Sequence, residues 1–254
     1  MKLDDVKKLH LKRYRDELGH FLVEGEHLVL ELEKAAQSRP HLQSCELYVT
    51  HTYEHWRSPF PVHLIGASHM AAIADTKTPQ GIVAVVPIPP PVPKRKDERA
   101  IYLTEIQDPG NLGTILRTLA WFGGFRCLLG PGSVDPWNPK VVRASAGAIF
   151  HVPIEVDVAA EALPARFPRL ACLDMRGEDV QSPQFPYYDC YVFGNEARGL
   201  PRGTLDALGA EPYTIGGSGA IESLNVALAV GMCVHELQRS KPSTGPKHPG
   251  GRAA

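Results

Sequence analysis

Several things are missing from this chain, and each absence narrows what it can be. No uncharged apolar run reaches membrane-spanning length, and the opening residues MKLDDVKKLHLKRYRDELGH are charged and lack the apolar core of a secretory signal. A soluble, cytoplasmic protein with no membrane partner is expected. No CxxC pair occurs. The five cysteines, Cys45, Cys127, Cys172, Cys190 and Cys233, lie far apart, which fits reduced, buried thiols better than a disulfide frame, a zinc site or a catalytic cysteine. The dinucleotide fingerprint GxGxxG, the phosphate loop GxxxxGK[ST], the metalloprotease HExxH and the nucleophile elbow GxSxG are all missing, and the eleven histidines are scattered. Metal catalysis has no support and a nucleotide-binding oxidoreductase is disfavoured. Charge of one sign is missing too, the net being −1. Overall charge therefore announces no nucleic-acid partner, but its distribution is uneven. Lys7, Lys8, Lys12, Arg13 and Arg15 crowd one end, Lys94, Arg95 and Lys96 follow each other, and Arg239, Lys241, Lys247 and Arg252 mark the other end. Such stripes can hold phosphates, although each taken singly reads equally as a solvated face.

With 43% hydrophobic residues the chain can bury substantial cores. The proline-dense, then charged stretch PIPPPVPKRKD at 87–97 reads as a semi-rigid linker between a first domain, 1–86, and a second, 98–240, followed by a disordered basic tail, 241–254. In the first domain the pattern predicts a basic amphipathic helix over 5–18, a strand at 21–23 and a helix over 26–36. Strands at 46–50, 62–65 and 81–86 and a short helix at 68–74 complete a small α/β/α unit. The second domain alternates strands (100–104, 125–129, 152–155, 169–173, 190–193, 212–215) with helices (112–122, 139–145, 159–167, 203–208, 224–238). An α/β fold follows, with a mostly parallel sheet and helices on both faces. The last helix, LNVALAVGMCVHEL, is apolar on nearly all sides and needs a second cover beyond its own sheet; a second subunit is the simplest.

Three glycine- and asparagine-bearing segments sit where strands of such a sheet end, and that is where α/β proteins collect ligands. In the first, Asn111 follows the Pro109-Gly110 turn at the expected N-cap of the next helix, so capping alone could explain it. Arg117 interrupts the apolar face of Leu112, Ile115, Leu116, Leu119 and Ala120 and calls for an anion; read in isolation, a carboxylate is preferred to a substrate phosphate. In the second, Gly194 and Gly199 flank Asn195, Glu196 and Arg198, which suits either a site or a surface turn. In the third, Gly216, Gly217 and Gly219 lead to Glu222, Ser223 and Asn225. Ser223 is the expected N-cap of the apolar helix, leaving Asn225 less easily explained by capping.

In this order the three segments closely resemble those of the SpoU (TrmH) family of RNA ribose 2′-O-methyltransferases, of the SPOUT superfamily. DPGNLGTILRT resembles the family's first motif, FGNEARGL the second and ESLNVALA the third; VDPWNPKVVRASAGAIFHVP between them is also typical. FLVEG at 21–25 and TPQGIVAVV at 78–86 resemble the ribosomal-protein-like RNA-binding domain that many members carry in front. The resemblance implies a C-terminal trefoil knot, S-adenosylmethionine bound bent among the knot loops, and a homodimer packed through the terminal helices. It places Gly194, Asn195, Glu196, Ile215, Gly217 and Leu224 around the donor, and Asn111, Arg117, Glu196, Ser223 and Asn225 at the active site. Lys12, Arg13, Arg15 and Arg143 are expected to meet RNA. Where the family usually has Ile-Pro-Met, this chain has Ile215-Gly216-Gly217, which loosens that loop and bears on donor affinity.

The activity so implied is methylation of a ribose 2′-hydroxyl in structured RNA, with ribosomal RNA preferred because of the front domain. Transfer RNA as substrate, base methylation, and a non-catalytic RNA-binding or ribosome-assembly factor are the alternatives. Arg117 ionises too high to abstract a proton readily, so its expected work is to hold a phosphate and stabilise a developing alkoxide while Asn111 and Ser223 orient the sugar.

Overall fold

The structure, a computed structural model, describes residues 1–195, 199, 207–221 and 223–239. Residues 203–206 of the helix expected over 203–208, the tail and the site residue Glu196 lie outside them, as do Arg198 and Glu222.

The first unit is a four-stranded sheet in the order β1-β4-β2-β3, formed by β1 (His20–Glu24), β2 (Glu46–Val49), β3 (Val62–Leu64) and β4 (Ile82–Pro87). Only the β2–β3 pair is parallel. Alternation along the strands sorts the side chains onto two faces. Phe21, Val23, Leu47, Val49, Ile82, Ala84 and Val86 face helix α3 (Glu26–Ala36), whereas Leu22, Tyr48, Val83 and Val85 pack with Val6, Leu9, Met70 and Ile73 on the other face. The last four come from the N-terminal segment and from α4 (Ala67–Ile73).

The single amphipathic helix predicted over 5–18 is instead two, α1 (Leu3–Lys8) and α2 (Lys12–Leu18). The Arg15 side chain folds back and donates to the carbonyls of Leu9 and His10 at 2.7 and 2.8 Å, which are carbonyls that a continuous helix would pair internally.

The second unit is a six-stranded sheet, order β10-β8-β9-β5-β6-β7, with every pairing parallel. Its strands are β5 (Arg99–Leu103), β6 (Phe125–Leu129), β7 (Ile154–Glu155), β8 (Leu170–Asp179), β9 (Cys190–Phe193) and β10 (Glu211–Thr214). Ile101, Leu103, Cys127 and Leu129 face a core shared with helices α5 (Pro109–Phe122) and α8 (Val226–Arg239); Ala100, Tyr102 and Leu128 face Leu163 and Phe167. Helix α6 (Pro139–Ser145) lies between α5 and the first unit. The helix predicted over 159–167 shortens to a 3-10 turn and α7 (Leu163–Arg166), consistent with prolines at 164 and 168.

Strand β8 runs six residues past its predicted end at Leu173, and its ladder with β10 is broken: Pro212 pairs with Cys172 but Tyr213 with Glu178. Gly177 makes the closing contact possible, because a Cβ there would stand 2.3 Å from the Pro212 carbonyl carbon and the Tyr213 nitrogen.

The two units share a core. Trp137, Val142, Ile149 and Phe150 of the second join the α3 face of the first, with the Phe21 and Trp137 rings 5.0 Å apart. The buried Arg15, 2% exposed, donates to Asp135 through Nε at 2.8 Å and Nη2 at 2.5 Å, and Arg143 pairs with Asp75 at 2.8 Å. Arg15 is therefore a residue of this interface and not a surface cation for RNA. Arg143 is likewise engaged by the first unit.

Candidate active site

The carboxyl ends of β5, β9 and β10 bring the three asparagine-bearing segments together. Helix α5 begins three residues earlier than predicted: Asp108, not Asn111, is the N-cap, accepting from the Asn111 amide at 3.0 Å, and Pro109 occupies the first turn, where its missing N–H costs nothing. The Asp-Pro pair was the legible signal for this. Asn111 is thereby relieved of capping. Its Oδ1 accepts from Asn225 Nδ2 at 3.0 Å, joining the first segment to the third.

Asn225 also resolves the cap of α8. Its Oδ1 accepts from the amides of Ala227 and Leu228 at 2.9 and 3.3 Å, so Asn225, not Ser223, is the N-cap. Ser223 is exposed and makes no hydrogen bond among the described residues. One asparagine thus uses its carbonyl end for the helix and its amide end for the site.

The second segment is tied to the first by Asn195, whose Nδ2 donates to the Glu105 carbonyl at 3.0 Å. Asn195 and Gly199 exchange both backbone hydrogen bonds, at 3.0 and 2.9 Å. Glu105 itself has φ of 47°, a left-handed conformation that costs a residue with a side chain about 1–3 kcal/mol. The turn it makes aims its carbonyl at the second segment, and sequence pattern carries no sign of it. The same turn is anchored on its other side, where the Val134 amide donates to the Ile106 carbonyl at 2.7 Å, one residue before Asp135 and its bond to Arg15.

Ile215 is half-buried against the main core, Leu224 is exposed, and the loop 215–219 forms no backbone hydrogen bonds within itself among the described residues. A Cβ on Gly216 would reach only Asp179 Oδ2, at 3.4 Å, and one on Gly217 would meet nothing within 4 Å. Gly194 directly follows β9.

Arg117 does not interrupt the apolar face as predicted. Leu112, Ile115, Leu116 and Leu119 are buried, while Arg117 shares the exposed stripe with Thr114 and Trp121. It makes no ion pair or hydrogen bond among the described residues, so the preferred carboxylate partner is absent there and the guanidinium is open to a phosphate. Of the cations expected to meet RNA, Lys12 pairs with Asp16 at 2.7 Å on the surface and Arg13 lies 5.9 Å from the Tyr14 ring.

The cysteines are buried and form no disulfides, and burial pushes the thiols of Cys45, Cys127 and Cys233 up to about 12, which disfavours a thiolate nucleophile there. Among the described residues no group of side chains has the makings of a metal site, and no helix is long and apolar enough to cross a membrane.

Comparison with known proteins fits this geometry. Residues 98–235 match the SpoU rRNA Methylase family and residues 2–84 the MRM3-like substrate binding domain. The chain is 32% identical over 247 residues to the 23S rRNA (guanosine(2553)-2′-O)-methyltransferase RlmP of Bacillus subtilis, covering 93% of this chain and 96% of that protein. It is 34% identical over 164 residues to the mitochondrial rRNA methyltransferase 3 of Mus musculus, covering 61% of this chain and 39% of that one. A putative RNA methyltransferase of the TrmH family from Porphyromonas gingivalis superposes with a TM-score of 0.80 at 29% identity, over 94% of this chain and 97% of the other. An AdoMet-bound rRNA methyltransferase from Sinorhizobium meliloti superposes at 0.79 and 25% identity, over 95% of each. With asparagines from the first and third segments hydrogen-bonded at one end of a parallel sheet, and with the match running through both units, the chain belongs to the SpoU rRNA methylase family.

Proposed function

We propose that this protein transfers a methyl group from S-adenosylmethionine to a ribose 2′-hydroxyl of structured RNA, with ribosomal RNA as the substrate class. The observation that carries the reading is the hydrogen bond from Asn225 to Asn111, which converges segments more than a hundred residues apart on the helix that also carries Arg117, exposed and without an ion pair among the described residues.

The residues present fit the donor. Among the described residues the loop 215–219 offers backbone groups not used within the loop and three side-chain-free positions, Gly216, Gly217 and Gly219, and Asp179 stands beside Gly216 as a carboxylate able to meet a cationic ligand. Gly194, Asn195, Ile215, Gly217 and Leu224 are the residues assigned to hold it, together with Glu196, which lies outside the described residues. Bound there, S-adenosylmethionine would supply an electrophilic methyl group on a sulfonium, which would leave as the neutral thioether while the ribose hydroxyl gives up its proton to water. The chain's own contribution is chiefly alignment, worth orders of magnitude when two reactants are held in line. Arg117, always charged, holds the RNA phosphate beside the target sugar and stabilises the oxygen as negative charge develops. Asn111, held by Asn225, and Ser223, without a hydrogen bond among the described residues, orient the sugar.

The remaining features belong to the same proposal. The first unit, 1–86, docks RNA, joined by 87–97 to the catalytic unit, and the C-terminal part of the chain forms the family's knot. Helix α8 pairs with its copy in a homodimer, supported by the exposure of Leu228 (53%), Met232 (45%) and Trp121 on α5 (80%). The unbonded, buried thiols suit a reducing compartment such as the cytoplasm.

The test is transfer of labelled methyl from S-adenosylmethionine into purified ribosomal and transfer RNA, followed by alkaline hydrolysis, with Arg117→Ala as control. Label in alkali-resistant dinucleotides of ribosomal RNA, lost in the variant, is the expected result. Donor binding with no label in RNA or in ribosomal particles overturns the catalytic reading.

A further inference from the structure

The cations that the sequence offered for RNA are largely neutralised. Lys12, Arg15 and Arg143 each have a carboxylate partner. A different set is left uncompensated at the junction of the two units. Arg39, after α3, donates from Nη2 to the His151 carbonyl at 3.1 Å across the junction, and its Nε is buried with no hydrogen-bond partner. His41 follows two residues later in a 3-10 turn (Pro40–Ser44), and the linker residue Arg95 is near enough for the two guanidiniums to repel each other. Among the described residues none of these four side chains is ion-paired. The nearby acidic groups have other ion-pair partners: Glu31, which His151 feels, pairs with Lys34 at 2.7 Å, and Glu98, whose Oε2 accepts from the Arg95 backbone amide at 3.3 Å, pairs with Arg126 at 2.6 Å. Burial, and after it the Arg39 charge, holds the His41 and His151 imidazoles below their ordinary range.

Drawing four cationic or protonatable groups from three segments together without an ion-pair partner for any of their side chains among the described residues is unfavourable unless something negative completes the cluster. We propose that Arg39, His41, Arg95 and His151 form a phosphate-binding site that takes a backbone phosphate of the RNA substrate, at a distance from the target ribose. The proposal rests on the RNA reading given above and adds where a second part of the RNA docks. His151 precedes β7, which runs parallel to β6, so the cluster lies at the amino-terminal edge of the catalytic sheet, whereas the three asparagine-bearing segments lie at the carboxyl edge. A five-residue strand separates the two edges by about 17 Å. A mononucleotide cannot occupy both, while a folded RNA can. A phosphate contact here positions the RNA without reading its sequence.

The experiment measures binding of ribosomal RNA to the full chain across a salt series, for the wild type, Arg39→Gln and Arg39→Gln with Arg95→Gln. Each phosphate contact contributes about 0.7–0.9 to the slope of log K against log salt. The double variant is expected to lose about 0.7–0.9 of that slope, one phosphate contact, with its melting temperature and its affinity for S-adenosylmethionine unchanged. An unchanged slope in the double variant overturns the proposal. Inorganic phosphate, followed through the imidazole resonances of His41 and His151, separates this site from the functional reading. Phosphate should raise the ionisation of both imidazoles in the wild type and not in Arg39→Gln. If no RNA binds the wild type but the imidazoles respond, the anion site stands and its RNA assignment falls; if RNA binds and they do not respond, the site itself falls.

Discussion

Asn225 donates from Nδ2 to Asn111 Oδ1 at 3.0 Å while its own Oδ1 caps α8. The two jobs use opposite ends of one amide, so they can be separated chemically. Asn225→Asp keeps an oxygen for the cap and loses the donor to Asn111; Asn225→Ala loses both. A lost cap costs about 0.5–2 kcal/mol. The alanine variant should therefore melt lower, whereas the aspartate variant should melt near the wild type and still turn over slowly. A lost hydrogen bond worth about 1.4 kcal/mol at the transition state is tenfold in rate. Single-turnover methyl transfer set beside thermal melting decides it. Equal rates for wild type and aspartate would leave Asn225 as a cap and nothing more.

Arg117 has no partner among the described residues that a substitution would orphan. Arg117→Lys and Arg117→Ala should both leave the melting temperature within a degree or so and leave donor affinity intact. Lysine keeps the charge but not the planar fork, so it should recover only part of the rate that alanine loses, with the full loss being about a hundredfold or more. A lysine variant with near-normal single-turnover rates would show that a two-pronged phosphate grip is not needed.

Gly113 tests how closely α5 and α6 must approach. Helix propensity alone favours alanine over glycine by about 1 kcal/mol in a helix interior. Here a Cβ would stand 2.4 Å from Ala144 Cβ and 2.7 Å from the Ala144 carbonyl carbon. Backbone cannot yield as a side-chain tip can, so overpacking of about 1–3 kcal/mol should win and Gly113→Ala should lower the melting temperature. Adding Ala144→Gly removes the first contact and not the second, so rescue should be partial.

The sheets were legible because both units obey simple periods. Phe21 and Val23 face one way and Leu22 the other, and β9, an apolar run, and β6, apolar apart from Arg126, have the bounds expected of them. The three motif segments were legible for a related reason, since glycine and asparagine stand out at strand ends. What could not be read depends on partners remote in sequence. Arg15 looked like one of several surface cations, and only Asp135, 120 residues away, makes it an interface residue that also breaks the first helix. Residues 174–179 of β8 carry Asp174, Arg176, Glu178 and Asp179, a composition that argues against a strand, yet β10 returns to pair with them. The left-handed Glu105 belongs to the same class, because its carbonyl is placed by Asn195 and its neighbour by Val134.

The thiols predict a pH dependence. Cys45, Cys127 and Cys233 rise from 9.0 to about 12 and Cys172 to about 11, each pushed up by burial, while Cys190 rises further for the same cause. A folded-state value above the unfolded one means that the native protein keeps protons the unfolded chain gives up. The stability this represents is complete below pH 9 and is lost as the pH rises toward 12. Denaturant midpoints should thus be level from pH 7 to 8.5 and fall steadily above 9. Replacing Cys233, fully buried in the main core, by alanine lowers the whole curve through the cavity it leaves but should flatten its alkaline slope. An alkaline slope unchanged by that substitution would assign the loss to other groups, the buried tyrosines Tyr48 and Tyr102 first among them, since burial carries both to about 12.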